Sequence, residues 1–564
     1  MKRRLIAFAF ILSLILGGMN QVFAQVNDTT FIVVGIFKPT IADANKINEV
    51  PAVKDSVPPV PQLNYSIISK KVFTPFNVEP IKPAKMSGEP ISKLYNGLAK
   101  MGGGNYSTPY AEIFYNNGRS KEYSCGTHLK HLSSKADMEG YGFGGFSNNE
   151  IELYGKKFLH KHTLGGSLNY NRNVIHYYGY DTSVVSITNN NYIKQRYSNI
   201  AGNAQLQSHY TDSVHMNYLL QLKYYNLQDF YGTSENNLCA SGDFSGHYEK
   251  QLIHVPVSVD YYNNKSKPDT VNSVNIGLAP YITASGDKWS TRMGMNIVIE
   301  GNENDRSRFL FYPNIDFNYN VVENIIIPYA GVTGGLKKNS LKSLTDENPF
   351  LVPGPSMKNT NTKYELYAGI RGSISKAVSY NTRSSYSKIN NLYLFINDNS
   401  YAARQGFNTV YNDLTLWNIH GELQFQHTEK IKLFVKGDYN DYSSTYINDP
   451  AFGFRPWHRP ALQFTFSANY NLKNKIVLKA DVFAAGKRFA YSDVFGQGTG
   501  IIVIASNIKE LKPIIDANLG LEYRYSKKLS AFVNLNNLGF SRYYIWNNYP
   551  SYKFNCLAGI TMAF

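Results

Sequence analysis

The segment Ala461-Leu-Gln-Phe-Thr-Phe-Ser-Ala-Asn-Tyr-Asn-Leu472 decides how this chain folds. Leu462, Phe464, Phe466, Ala468, Tyr470 and Leu472 share one parity; Gln463, Thr465, Ser467, Asn469 and Asn471 share the other. Successive side chains of a strand point to opposite faces, so strict alternation over this length describes a strand with one apolar and one polar face.

The pattern recurs outward in both directions. Ile253, Val255, Val257, Val259 and Tyr261 alternate with His254, Pro256, Ser258 and Asp260, and in Ile515 to Tyr525 the polar face holds Asp516, Asn518, Glu522 and Arg524. Further copies run through Tyr218 to Tyr224, Phe309 to Tyr319, Tyr364 to Ile370, Ile419 to Phe425 and Ile476 to Ala484. In the last fourteen residues, Ser551 to Phe564, the even positions Tyr552, Phe554, Cys556, Ala558, Ile560, Met562 and Phe564 are all apolar or aromatic.

Such strands build either a soluble sandwich or propeller, or an outer-membrane barrel whose apolar face meets lipid. Three features select the barrel. Tyr and Phe crowd the apolar positions near strand ends, as aromatic girdles do. The polar faces carry Lys, Asp, Glu and Asn, which a dry sandwich core does not tolerate. Connections also alternate in length. Short ones fall at Thr211-Asp-Ser213, Ser285-Gly-Asp287, Glu323-Asn324, His427 to Lys430, Lys473-Asn474 and Ser526-Lys-Lys528. Long ones fall at about 174–195, 338–361, 388–405, 441–459, 486–510 and 538–550. Counting from a first hairpin of Leu94 to Gly103 and Thr108 to Asn117 predicts an all-β, transmembrane antiparallel barrel of about 22 strands (20–24) over 92–564, with both termini periplasmic.

Composition agrees. The 564 residues include 44 Tyr and 32 Phe but only 17% charged residues, and the mean hydropathy is −0.32. No window after residue 24 approaches the roughly 20 apolar residues of a spanning helix. Lys2-Arg3-Arg4, the apolar run Leu5 to Leu16 and Val22-Phe23-Ala24 predict a signal peptide over 1–24. Residues 25–91 are rich in proline (Pro51, Pro58, Pro59, Pro61, Pro75, Pro80, Pro83, Pro90), which predicts an irregular periplasmic or lumenal segment that occludes or gates the pore. The three cysteines call for no disulfide framework. A net charge of +16 suits anionic partners; export and the lack of a reading motif disfavour nucleic acid and point to lipopolysaccharide or an anionic solute.

Two stretches carry a resemblance. Leu94 to Glu112, continuing through Arg119-Ser-Lys and His128 to Ser134, resembles the opening of the TonB-dependent-receptor-like β-barrel proteins of Bacteroidetes-type bacteria. Phe532 to Leu538, Tyr544 to Pro550 and the terminal strand are similar to the last hairpin of TonB-dependent receptors. The resemblance implies a Gram-negative outer-membrane barrel for solute uptake. Residues 25–91 are too few and too proline-rich for the folded plug domain of that family. Asp28, Thr29, Thr30, Val33 and Val34 form a box-like candidate TonB-contact segment, which a strand or lipid-facing tether explains equally well. The resemblance also makes the final strand (Phe554, Ile560, Met562, Phe564) a candidate signal for the barrel assembly machinery.

No catalytic, cofactor or metal motif stands out. Gly140 to Gly145 and Gly496 to Gly500 lie between strands rather than before helices and read as loops. His128 and His131 fall on opposite strand faces, and His160 and His162 sit in a Lys-rich turn. The candidate lumen-lining set is His420, Glu422, Lys479, Asp481, Asp516, Glu522 and Arg524. The leading expectation is therefore passage of a solute, with loops such as Asp441 to Arg459 making first contact. A structural or docking barrel of an envelope or secretion complex is the alternative, and an outer-membrane enzyme ranks below both.

Overall fold

The computed structural model describes residues 95–212, 214–248, 251–266, 269–303, 305–398, 405–428, 430–444, 455–493 and 508–564. The signal peptide, the Pro-rich segment, the Asp28 to Val34 box and Gly496 to Gly500 lie outside these residues. Alternating apolar and polar side chains drive 27 strand segments, joined into one antiparallel wall with short local additions. The first strand, Gly97–Gly104, pairs on one side with Thr108–Asn116 and on the other with the last strand, Asn555–Ala563. The sheet thus closes on itself without a free edge.

Five segments are not separate staves. Tyr281–Ser285 continues Asp269–Leu278 past a break at Ala279-Pro280, where proline cannot donate to the ladder. Arg488–Asp493, Ile508–Leu511, Tyr544–Trp546 and Tyr549–Pro550 belong to connections. The wall has 22 strands. At the closing seam Gly102 lies opposite Gly559, and a Cβ on Gly102 would come within 2.5 Å of the Ala558 carbonyl oxygen, so the two backbones approach closely because neither residue has a side chain.

Parity holds around the ring. Leu164, Leu168, Leu222, Phe309, Phe311, Ile515 and Ile560 are exposed on the outside. Tyr115, Tyr123, Phe158, Trp289, Tyr319 and Tyr523 ring the end with short turns, and Tyr224, Tyr261 and Tyr439 lie nearer the other. This is an apolar belt between two aromatic girdles. All three cysteines are free.

Two expectations need correction. The connection placed at 388–405 is mostly strand: Val378–Asp398 and Gly406–His427 are 21 and 22 residues long and stay paired to Asp398↔Gly406. The run Leu392 to Ile396 is apolar on both faces because Leu394, Phe395 and Ile396 are buried above the belt by neighbouring connections. At the C-terminus, strand pairing begins only at Asn555. Tyr552 instead donates its hydroxyl to the Gly144 carbonyl at 2.8 Å, and Phe554 stacks on Phe540 with ring centroids 4.9 Å apart.

Candidate functional site

Polar parity delivers a charged inner wall. His420 sits between two carboxylates, Nε2 at 2.9 Å from Glu422 and Nδ1 at 2.7 Å from Asp438 on the next strand. Asp481 accepts from the Ser467 hydroxyl, and Arg524 contacts Glu522 at 3.3 Å. Asp516 accepts a 2.6 Å bond from Tyr543, so its strand is tied to the connection 537–554. Lys479 lies opposite Asn469 and Gly520 on the same face. The seven named residues therefore share the inner face, but the structure gathers only His420 with Glu422, and Glu522 with Arg524.

A second inner cluster escaped the sequence reading. The Arg383 guanidinium lies 4.1 Å from the Tyr367 ring, Arg371 5.3 Å from Tyr329, and Arg292 5.2 Å from Tyr281. Tyr367 donates to Asp316 at 2.9 Å, and Arg383 pairs with Glu365. Each arginine occupies the polar parity of its strand, which is the signal that could have found it.

The other feature is the mouth at the end bearing the long connections. The connection 338–359 turns inward. Its short helix, Leu341–Glu347, starts with a capping box between Ser340 and Ser343. The helix is also held by the wall: Glu235, fully buried, accepts from the Leu341 and Lys342 amides at 2.7 and 3.1 Å and from the Tyr225 hydroxyl at 2.7 Å. Lys338 donates to Ser273 at 2.8 Å and lies 4.7 Å from the Tyr262 ring. Burial pushes its ammonium below the usual lysine range, while Glu235, Glu300 and Asp260 oppose that shift. Asn359 donates to Glu300 at 2.6 Å.

The connection then crosses the lumen. The Leu351 carbonyl accepts from Tyr177, which follows the fifth strand, while Leu351 bridges in parallel to Phe407 on the sixteenth. Eleven steps in a ring of 22 is half the circumference, so Leu351 joins opposite walls. Around it Tyr177, Tyr180, Ile193, Leu344, Tyr393, Phe395, Phe407 and Tyr549 form a buried apolar cluster. Phe350 stacks on Tyr549 with centroids 3.9 Å apart.

Neighbouring connections complete this cap. Arg488 donates to the Tyr544 and Ile545 carbonyls at 2.6 and 2.9 Å, and Tyr141 bonds Tyr544 at 2.9 Å. His458 lies beneath Trp546, with Nδ1 donating to the Phe395 carbonyl at 3.0 Å and Nε2 accepting from the Asn547 amide at 3.3 Å. Burial pushes its imidazole down to about 3, with the Phe395 bond opposing and Arg488 assisting. Trp457, His458 and Arg459, expected in an outer contact loop, thus fold into the cap.

His131 bonds Asn149 at 2.8 Å and His128 bonds Glu112 at 3.1 Å, on separate faces as the spacing predicts. Ile560, Met562 and Phe564 are exposed outward at the last strand.

No protein-family model matches the chain, and no curated protein sequence does. Solved structures do match in fold. The ferric enterobactin receptor of Pseudomonas aeruginosa aligns over 84% of this chain and 81% of its own, with 13% identity and a TM-score of 0.61. The pyoverdine outer membrane receptor of the same species, bound to pyoverdine, aligns over 84% and 79%, with 11% identity and a TM-score of 0.62. An iron transporter of Neisseria meningitidis aligns over 84% and 82%, with 9% identity and a TM-score of 0.63. The class this defines is the large closed barrel on which such receptors are built. At these identities the likeness concerns fold.

Proposed function

We propose that this chain is an outer-membrane uptake barrel of a Gram-negative bacterium, with its short turns in the periplasm, and that a solute enters when connection 338–359 leaves the mouth. The observation that carries the reading is the crossing itself: a charged, arginine-lined lumen lies behind a cap whose central connection is fastened to opposite walls. The fastening is polar on the wall side, through Glu235, Lys338 and Asn359.

The fold neighbours support this reading, being named as receptors and transporters for iron and its chelates. The inner residues His420, Glu422, Lys479, Asp481, Asp516, Glu522 and Arg524 would line the path. Lipid and lipopolysaccharide would contact the outer belt. The assembly machinery would read the strand ending in Ile560, Met562 and Phe564, and TonB would engage Asp28 to Val34. Residues 25–91 would act as a second closure in place of a plug domain.

Four chains in planar bilayers test this: full length, lacking 25–91, lacking 341–357, and lacking both. Stable conductance is expected when both closures are removed. A silent double deletion that is still folded would contradict uptake. Capture by the periplasmic domain of TonB tests the box separately, and lack of capture removes energised transport.

A further inference from the structure

We infer that one arc of the short-turn rim is a docking site for the phosphate headgroups of anionic phospholipid in the leaflet that surrounds it. Four consecutive turns of this rim carry the charge: 376–377, 428–430, 473–475 and 525–528. The turn 473–475 contributes Lys473 and Lys475, and the turn 525–528 contributes Lys527 and Lys528, all exposed. The turn 376–377 adds exposed Lys376. Between them the turn 428–430 holds Lys430 with Glu429, the one carboxylate in the sequence of these four turns.

Elsewhere on the rim the turns 209–216, 286–288 and 320–326 each include a carboxylate, at Asp212, Asp287 and Glu323, whereas the turn 159–161 carries Lys161 without one and stands apart from the arc. Asp212 is engaged locally, 2.6 Å from His215. In the arc, Lys475 donates to the Tyr525 carbonyl at 3.2 Å and Lys528 lies 5.9 Å from the Tyr95 ring, so neither charge is neutralised by those contacts.

Depth selects lipid over a soluble anion. Outward apolar residues reach to within one or two positions of the lysines: Leu472 precedes Lys473, Tyr525 lies two before Lys527, Leu529 follows Lys528, and Ile374 lies two before Lys376. Tyr525 is 68% exposed and Ile374 63%, and both continue the outward apolar belt of their strands. Aromatic and aliphatic side chains at a girdle sit at the boundary of the hydrocarbon, and a lysine stem reaches the adjoining headgroups. Clustered lysines there attract anionic lipid cooperatively and lose that attraction within a Debye length.

The proposal rests on the barrel lying in a membrane, but not on what it transports. The protein in neutral detergent is incubated with phosphatidylglycerol or phosphatidylethanolamine and retained lipid is counted by native mass spectrometry. Retention of phosphatidylglycerol is expected to fall at least about tenfold in Lys473→Glu/Lys475→Glu/Lys527→Glu/Lys528→Glu and by less in the all-Gln version, with phosphatidylethanolamine unchanged. Raising KCl should weaken only phosphatidylglycerol. Equal retention in wild type and the all-Gln variant, with both showing the heat-modifiable barrel band, would overturn the proposal. So would parallel loss of both lipids. If the barrel reading itself were wrong, neither lipid would be held by wild type.

Discussion

Strand Leu462–Leu472 and connection 338–359 both bury side chains, but by different means. In the strand each residue is placed by its neighbours across a continuous ladder, from Ile431↔Tyr470 to Tyr439↔Leu462, and parity alone decides its surroundings. In the connection no ladder exists. Leu351 is buried because Tyr177 and Phe407, 174 and 56 residues away along the chain, converge on it. The wall is specified locally and repeated, whereas the cap is specified by contacts that only the finished wall can bring together. It follows that damage to the wall should destroy the barrel, while damage to the cap should open it and leave the barrel standing.

The largest expected effect is at the seam. A Cβ at position 559 would collide with the Met101 carbonyl oxygen, so Gly559→Val should abolish the heat-modifiable barrel band in outer-membrane fractions. Phe564→Asp should lower surface levels less severely. A normal band in Gly559→Val would show that the seam tolerates strain and would weaken the contrast from the wall side.

Glu235→Ala should come next. It removes the acceptor of two helix amides and the Tyr225 hydroxyl, at about 3 kcal/mol. That corresponds to roughly a hundredfold gain in open probability, read by single-channel recording in a chain lacking 25–91, with an unchanged barrel band. Leu351→Ala should open the cap by about 2–4 kcal/mol through loss of packing at a fully buried position.

A smaller, graded effect comes from pH. His458 is held neutral, its folded pKa of about 3 lying below the ordinary 6.5. Above pH 6.5 it is neutral with the cap closed or open, and costs nothing. Below that, protonation favours the opened cap by about 1.4 kcal/mol per pH unit until the folded value is reached. In a chain lacking 25–91, open probability should therefore rise from pH 7.5 to pH 5, and His458→Asn should flatten the rise. Lys479→Gln, on an exposed stretch of inner wall, should change barrel stability by less than about 0.5 kcal/mol.

This contrast also sets what the sequence reveals. Alternation in Ala461 to Leu472 and its copies, with the spacing of the turns, was enough to predict a ring of about 22 strands, and it puts His420, Glu422 and Arg524 on the polar parity of their strands. It failed at Leu392 to Ile396, where a two-sided apolar run signals burial under partners that no local pattern names. The Arg292, Arg371 and Arg383 cluster was legible by parity, but only register shows that their rings and carboxylates meet. Glu235 and Lys338 were not legible at all, because their partners Leu341 and Ser273 lie 106 and 65 residues away along the chain and meet them only where the connection turns inward.

The most direct test locks the crossbar in place. Leu351 and Phe407 are bridge partners, so Leu351→Cys/Phe407→Cys, with the three native cysteines replaced by alanine, should form a disulfide. Oxidation should hold passage of solute at the closed level, measured in a chain lacking 25–91, and reductant should restore it. Unchanged passage in fully cross-linked protein would contradict this.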